Sequence, residues 1–180
     1  MSKKLISKIL ALIILVLSVI LSAISIAEDN IFKAEETVFG LKTKIFYGNF
    51  FGFTKSNFYQ SQDFITICGY NENDTILLKG VLINAFFCFI SALFFLNAIG
   101  QIFHKLRAAW ILSLIGSVCV FVAFVVAAAS WIHSKTYQDF KNLENLGVYV
   151  ELGYGDGFGL EISAFFLGLL ATGILFFNSK

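Results

Sequence analysis

GVLINAFFCFISALFFLNAIGQIFHKLRAAWILSLIGSVCVFVAFVVAAASWI, residues 80–132, decides the architecture. Two apolar blocks, Gly80–Phe103 and Ala108–Ile132, are parted by a short basic link that holds His104, Lys105 and Arg107. Each block is near the roughly 20 residues that a helix needs to cross the hydrocarbon core of a bilayer. A core helix of a water-soluble domain is usually shorter and polar along one face. A link this short joins antiparallel neighbours, so the stretch predicts a membrane hairpin.

The pattern repeats on both sides. Leu5–Ala27 and Phe158–Phe177 are two further blocks of the same kind, and 58% of the 180 residues are hydrophobic. The expected fold is a membrane all-α bundle of four transmembrane helices, spanning 1–180 as a single domain. Outer loops follow at 28–79 and 133–157.

Net charge is +1, but its distribution is uneven. Segments 1–8, 101–107 and 178–180 carry six Lys/Arg in 18 residues and no acid. Loops 28–79 and 133–157 carry seven Lys/Arg in 77 residues together with eleven of the twelve acids. Short cytoplasmic loops are enriched in Lys and Arg, so both termini and the 101–107 link are expected inside and the two larger loops outside. The first block has a second reading. A basic start and a small-residue ending at Ser25-Ile26-Ala27 also fit a cleavable signal peptide. Its apolar stretch exceeds the 7–15 residues typical of a signal, which favours an uncleaved helix.

Each block carries a stripe of small or polar residues at helical spacing. The stripes are Ala11, Ser18, Ser22, Ser25; then Gly80, Asn84, Cys88, Ser91; then Ser113, Gly116, Ala123, Ala127, Ser130; then Gly157, Glu161, Ala164, Gly168, Ala171. Membrane helices pack along such stripes, because lipid gives no hydrophobic drive toward another helix. Phe86, Phe89, Phe165 and Phe166 are expected to flank the seams or face lipid. Glu161 lies on its stripe. A carboxylate facing lipid is costly, so Glu161 is expected to point into the bundle as a polar clamp. Lys79, Asn84 and Ser130 are its expected partners by depth. The rival role is an ion or proton site.

The first loop holds eight Phe and three Tyr between Glu28 and Lys79, too many for a disordered segment. Phe39, Leu41 and Ile45 alternate with Lys42 and Lys44, which is strand periodicity. Phe64–Cys68 and Val148–Leu152 read as further strands. A small extracellular antiparallel sheet, formed mainly by the first loop, is therefore expected. Asn73-Asp74-Thr75 is an N-x-T sequon, which makes Asn73 a candidate for glycosylation. Cys68, Cys88 and Cys119 are scattered and odd in number, not a disulfide framework.

Converging nucleophiles, bases or metal ligands mark an enzyme. His104 and His133 are the two histidines, and the expected topology puts them on opposite sides of the membrane. GYGDGFG (residues 153–159) lacks the GK[ST] ending of a phosphate loop. No enzymatic activity, cofactor, metal or nucleic-acid partner is expected.

Four helices with a large sheet-forming first loop resemble the claudin-like tetraspan superfamily, and within it the amastins, surface proteins of trypanosomatid protists. YGDGFGLEISAFF is similar to the stretch by which amastins begin their last helix, at Tyr154, Gly155, Gly157, Phe158 and Ala164. FITICGYNEND is similar to the amastin loop signature at Thr66 and Gly69, with Phe64 and Asp74 in the places of its two cysteines. Trp131 followed by Tyr137 resembles the end of their third helix. The resemblance implies a plasma-membrane, cell-surface protein that engages other membrane or surface proteins, or its own copies, through its outer loops. The alternative is an auxiliary subunit of a channel or larger complex, or a small ion conduit.

Overall fold

The structure, a computed structural model, describes residues 3–27, 31–38, 41–49, 52–57, 60–62, 74–145 and 150–179. The expected strand at Phe64–Cys68, with Cys68 and Asn73, lies outside the described residues. The elements run α1 (Lys3–Ala27), β1 (Phe32–Val38), β2 (Leu41–Asn49), β3 (Gly52–Asn57), β4 (Gln60–Gln62), α2 (Thr75–Gln101), α3 (Leu106–His133), α4 (Lys135–Asn145), β5 (Val150–Tyr154) and α5 (Asp156–Ser179). Four of the helices, α1, α2, α3 and α5, are long and apolar enough to cross a membrane. This makes the chain a multi-pass membrane protein. Its exposed surface agrees: Phe86 and Phe89 are each 59% exposed, Phe166 is 63% and Phe177 is 74%. Apolar exposure on that scale belongs against lipid, not water.

The helices outrun the apolar blocks because capping, not hydropathy, ends them. α2 begins at Thr75, five residues before Gly80. Asp74 starts it, since its Oδ1 accepts a hydrogen bond from Leu77 N at 3.2 Å. This satisfies one of the amides that a helix start leaves without an intrahelical acceptor. α4 was not expected; the 133–157 segment reads as loop. Ser134 explains it. Its Oγ accepts from Tyr137 N at 3.0 Å, and Tyr137 and the buried Phe140 then lie three residues apart on one helical face.

The chain divides into two compact units. The first comprises Met1–Ser25, Phe86–Phe124 and Leu160–Lys180. It is a packing of parts of α1, α2, α3 and α5 around Ala11, Leu15, Phe95, Ala98, Val120, Ala164 and Leu175. The Phe95 ring sits where α3 and α5 offer glycine. A Cβ on Gly116 would come within 2.7 Å of that ring, and one on Gly168 would meet both the ring and Ser117 Oγ.

The second unit comprises Ile26–Ala85 and Val125–Gly159. It contains the sheet, with strand order β4-β3-β2-β1-β5 and every pairing antiparallel. The first loop supplies four of these strands, and the second supplies β5. β1 pairs with β5 from Phe32↔Tyr154 to Glu36↔Val150 and carries a register shift against β2 between Ala34 and Glu35. The core beneath gathers Ile31, Phe32, Leu77, Val81, Ala127, Trp131, Phe140 and Val150. Trp131 anchors it. Phe32 stacks on its ring at 5.2 Å and 12°, and Tyr137 meets it edge-on at 5.5 Å.

Candidate functional site

The expected stripes are buried. Ala11, Ser18, Ser22, Ser25, Cys88, Ser91, Ser113, Ala123, Ala127, Glu161, Ala164 and Ala171 are all 0% exposed. Helical spacing therefore gave the inward faces correctly, with Phe86, Phe89 and Phe166 outward. Along the seams of the first unit, hydroxyls mostly bond to carbonyls of their own helix. Ser18 Oγ donates to Ile14 O at 3.0 Å, and Ser117 Oγ to Ser113 O at 2.9 Å. Such back-bonding satisfies a polar group at a site where water is absent.

Besides the bond from Ser7 Oγ on α1 to Asn178 Oδ1 on α5, two sets of contacts go further and join helices. In one, Ser113 Oγ on α3 donates to Gly168 O on α5 at 3.1 Å, and Thr172 Oγ1 donates to Ser113 Oγ at 2.8 Å. The other is the candidate site. Ser22 and Ser25 of α1, Cys88 and Ser91 of α2, and Glu161 of α5 form one buried polar layer in the first unit. Ser25 Oγ lies 3.9 Å from Cys88 Sγ, and Ser91 Oγ lies 3.4 Å from Ser22 Oγ. The Cys88 side chain in turn lies beside that of Glu161, close enough for the two to interact electrostatically. Glu161 is the sole acid in the sequence of this unit.

The neighbour that sequence reasoning overlooked is Cys88. It stands on the α2 stripe, one turn beyond Asn84, and its spacing was the available signal. Of the partners expected for Glu161, Lys79 is exposed on α2, while Asn84 and Ser130 are buried; all three belong to the second unit. There, Ser130 Oγ donates to Ala127 O at 2.9 Å, and its side chain fills the space that a Cβ on Gly80 would take.

Asp74 is a second residue whose role the sequence hid. Its Oδ2 accepts from Thr136 N at 2.7 Å and from Thr136 Oγ1 at 2.6 Å. One carboxylate thus caps α2 with one oxygen and α4 with the other. A charged acceptor also suits the positive end of each helix. Asp74 is 5% exposed, whereas its sequon neighbour Thr75 is exposed.

Chemically, the Glu161 layer offers one carboxyl, one thiol and serine hydroxyls. Those groups can share hydrogen bonds among three helices. Among the described residues, no three His, Cys, Asp or Glu side chains converge as metal ligands would. His104 and His133 are exposed and lie in different units. Outside the spanning helices, burial pushes the Tyr154 phenol above its ordinary value, and neighbouring Tyr137 adds to the shift.

No protein-family model matches the chain, and no curated protein matches it in sequence.

Proposed function

We propose that this chain is a non-enzymatic cell-surface tetraspan, amastin- or claudin-like, that engages other membrane or surface proteins, or its own copies, through its two outer loops. In this reading both termini are cytoplasmic, the sheet is extracellular, the membrane is the plasma membrane, and Asn73 is a glycosylation site. The observation that carries the reading is the sheet itself. Residues of both loops pair in it, since β5 of the second loop hydrogen-bonds to β1 of the first. Two loops fused into one sheet form a platform whose outer strands, β4 and β5, end the strand order. Sheet edges and faces are common protein-docking surfaces.

The experiment is cross-linking on intact cells, purification in mild detergent and identification of the joined chains. Cross-links from residues 31–62 or 150–154 to another surface protein, or to a second copy, are expected. Cross-links confined to the four long helices would overturn the reading. They would favour the auxiliary-subunit alternative, for which the buried Glu161 layer is the supporting observation. Ion flux in liposomes that the Glu161→Gln variant abolishes would establish the conduit form of that alternative.

A further inference from the structure

The first unit has an open cleft of about 610 Å³ where the start of α3 meets the end of α5. Its polar lining is Lys105, Arg107, Asn178 and Ser179, and Leu106 and Ile111 are among its apolar lining. Both cations are exposed. The one acid of this unit is Glu161, about 17 residues from the α5 end of the cleft, or roughly 25 Å along a helix. The ion pair Lys33–Glu35 lies in the second unit. Among the described residues, Lys105 and Arg107 line the cleft with no acidic side chain of their unit beside them.

Three features say what chemistry fits. The charge calls for an anion, and a guanidinium beside an ammonium suits a phosphate oxygen set. Position adds the second constraint. Lys105 joins two helices long enough to span a membrane, Arg107 is in the first turn of the second of them, and residues 178 and 179 end a third, so the cleft lies at the ends of the spanning helices. The wall gives the third. Ile111, one turn into α3, is 38% exposed and continues the lining toward the apolar helix surface. Such a cleft suits an amphiphile, with an anionic head at Lys105 and Arg107 and an acyl chain along Ile111. The far wall is fixed: Asn178 Oδ1 accepts from Ser7 Oγ at 2.8 Å, and Asn178 Nδ2 donates to Ile174 O at 2.6 Å.

We propose that this cleft binds the phosphate head of an anionic phospholipid. The site is independent of the surface-interaction reading, because it uses none of the loop residues. Basic residues at a membrane surface draw anionic lipid, each adding a modest increment. Two of them lining one cleft favour that lipid over a zwitterionic one.

The test is native mass spectrometry of the full chain in neutral detergent, titrated separately with phosphatidylglycerol, phosphatidylcholine and inorganic phosphate. Phosphatidylglycerol should bind at about one molecule per chain, and at least about tenfold more tightly than phosphatidylcholine. The Lys105→Gln/Arg107→Gln double variant should lose about tenfold in affinity for phosphatidylglycerol. Arg107→Lys should fall between it and the parent, because the charge stays while the planar fork is lost. Lys141→Gln, which removes an exposed cation on α4 in the second unit, should bind as the parent does. Equal binding of both lipids, or a double variant that binds like the parent, overturns the proposal. Inorganic phosphate binding as tightly as the lipid also overturns it, since the acyl chain would then contribute nothing. If the double variant unfolds, the comparison of Arg107→Lys with Lys141→Gln decides.

Discussion

Around Phe95, the first unit buries seams of alanine, serine and glycine, with one ring set against two glycines. Around Trp131, the second unit buries rings laid on one another, with a carboxylate capping two helix starts. The same helices, α2, α3 and α5, contribute to both units, so the contrast is not one of helix against sheet. It is one of packing: small residues and hydroxyls in the first unit, large rings in the second. In lipid, apolar side chains gain nothing by leaving their surroundings, and close backbone approach with shared hydroxyls must hold helices together. Where water is the surrounding medium, burying large rings is itself the stabilising act.

Trp131→Ala tests this contrast most severely. It removes the ring on which Phe32 and Tyr137 pack, and such truncations cost about 3–5 kcal/mol. Detergent-solubilised thermal unfolding should show a large loss, and proteolysis should cut the sheet region first. A loss no greater than that of an exposed Phe86→Ala would break the comparison.

For the first unit, the corresponding insult is an added methyl group. Gly168→Ala places a Cβ against the Phe95 ring and Ser117 Oγ, and overpacking of this kind costs about 1–3 kcal/mol. Gly173→Ala, with open space around it, is the control and should be silent in the same unfolding assay. Next in size is Asp74→Ala, which uncaps α2 and α4 together at about 1 kcal/mol each. Hydrogen exchange at Leu77 and Thr136 should rise together; a rise at one alone would mean that the carboxylate does not link the two helices.

Glu161 sharpens the comparison at a smaller scale. Hydrogen bonds between membrane helices average about 0.6 kcal/mol, so Glu161→Leu should weaken the first unit by about that amount while Glu161→Gln keeps most of it. Detergent stability of the two variants reads this difference, and a leucine variant as stable as the parent would remove the clamp. The smallest effect concerns pH. Tyr154 has a raised value because the fold holds its neutral form. Its contribution is intact below the ordinary tyrosine value of 10.0 and is lost as pH rises through the higher folded value. Tyr154→Phe should flatten that alkaline decline in a thermal scan.

The seams were legible because a helix repeats its geometry. Ser22, Cys88, Ser113 and Glu161 fall inward by spacing alone, with no knowledge of any neighbour. Helix starts were less legible. Hydropathy marks where a chain turns apolar, yet α2 starts five residues earlier, at a cap that Asp74 supplies. Within the sequon, Asp74 read as the middle residue of a modification motif, and its tie to Thr136, 62 positions away, has no local signal. The pairing of β1 with β5 was hidden for the same reason. Strand periodicity can nominate Val148–Leu152, but a partner so remote in sequence is settled by the shared core of Phe32, Trp131 and Val150. Glu161 was placed on its stripe, while its contact with Cys88 depended on how far α2 and α5 are shifted along each other, which spacing within one helix does not encode.

That β1–β5 pairing also sets a timetable. Phe32 and Tyr154 are roughly 120 residues apart in the chain. At a synthesis rate of about 5–20 residues per second, β1 exists for roughly 6–24 s before its partner strand is made. Throughout that interval one edge of β1 stays open, with β2 able to cover only the other. An open edge is a template for any extended chain nearby, including the β5 of a neighbouring copy emerging at the same membrane. The last strand to be made is therefore also the one whose delay sets how long the newborn sheet can pair with the wrong molecule.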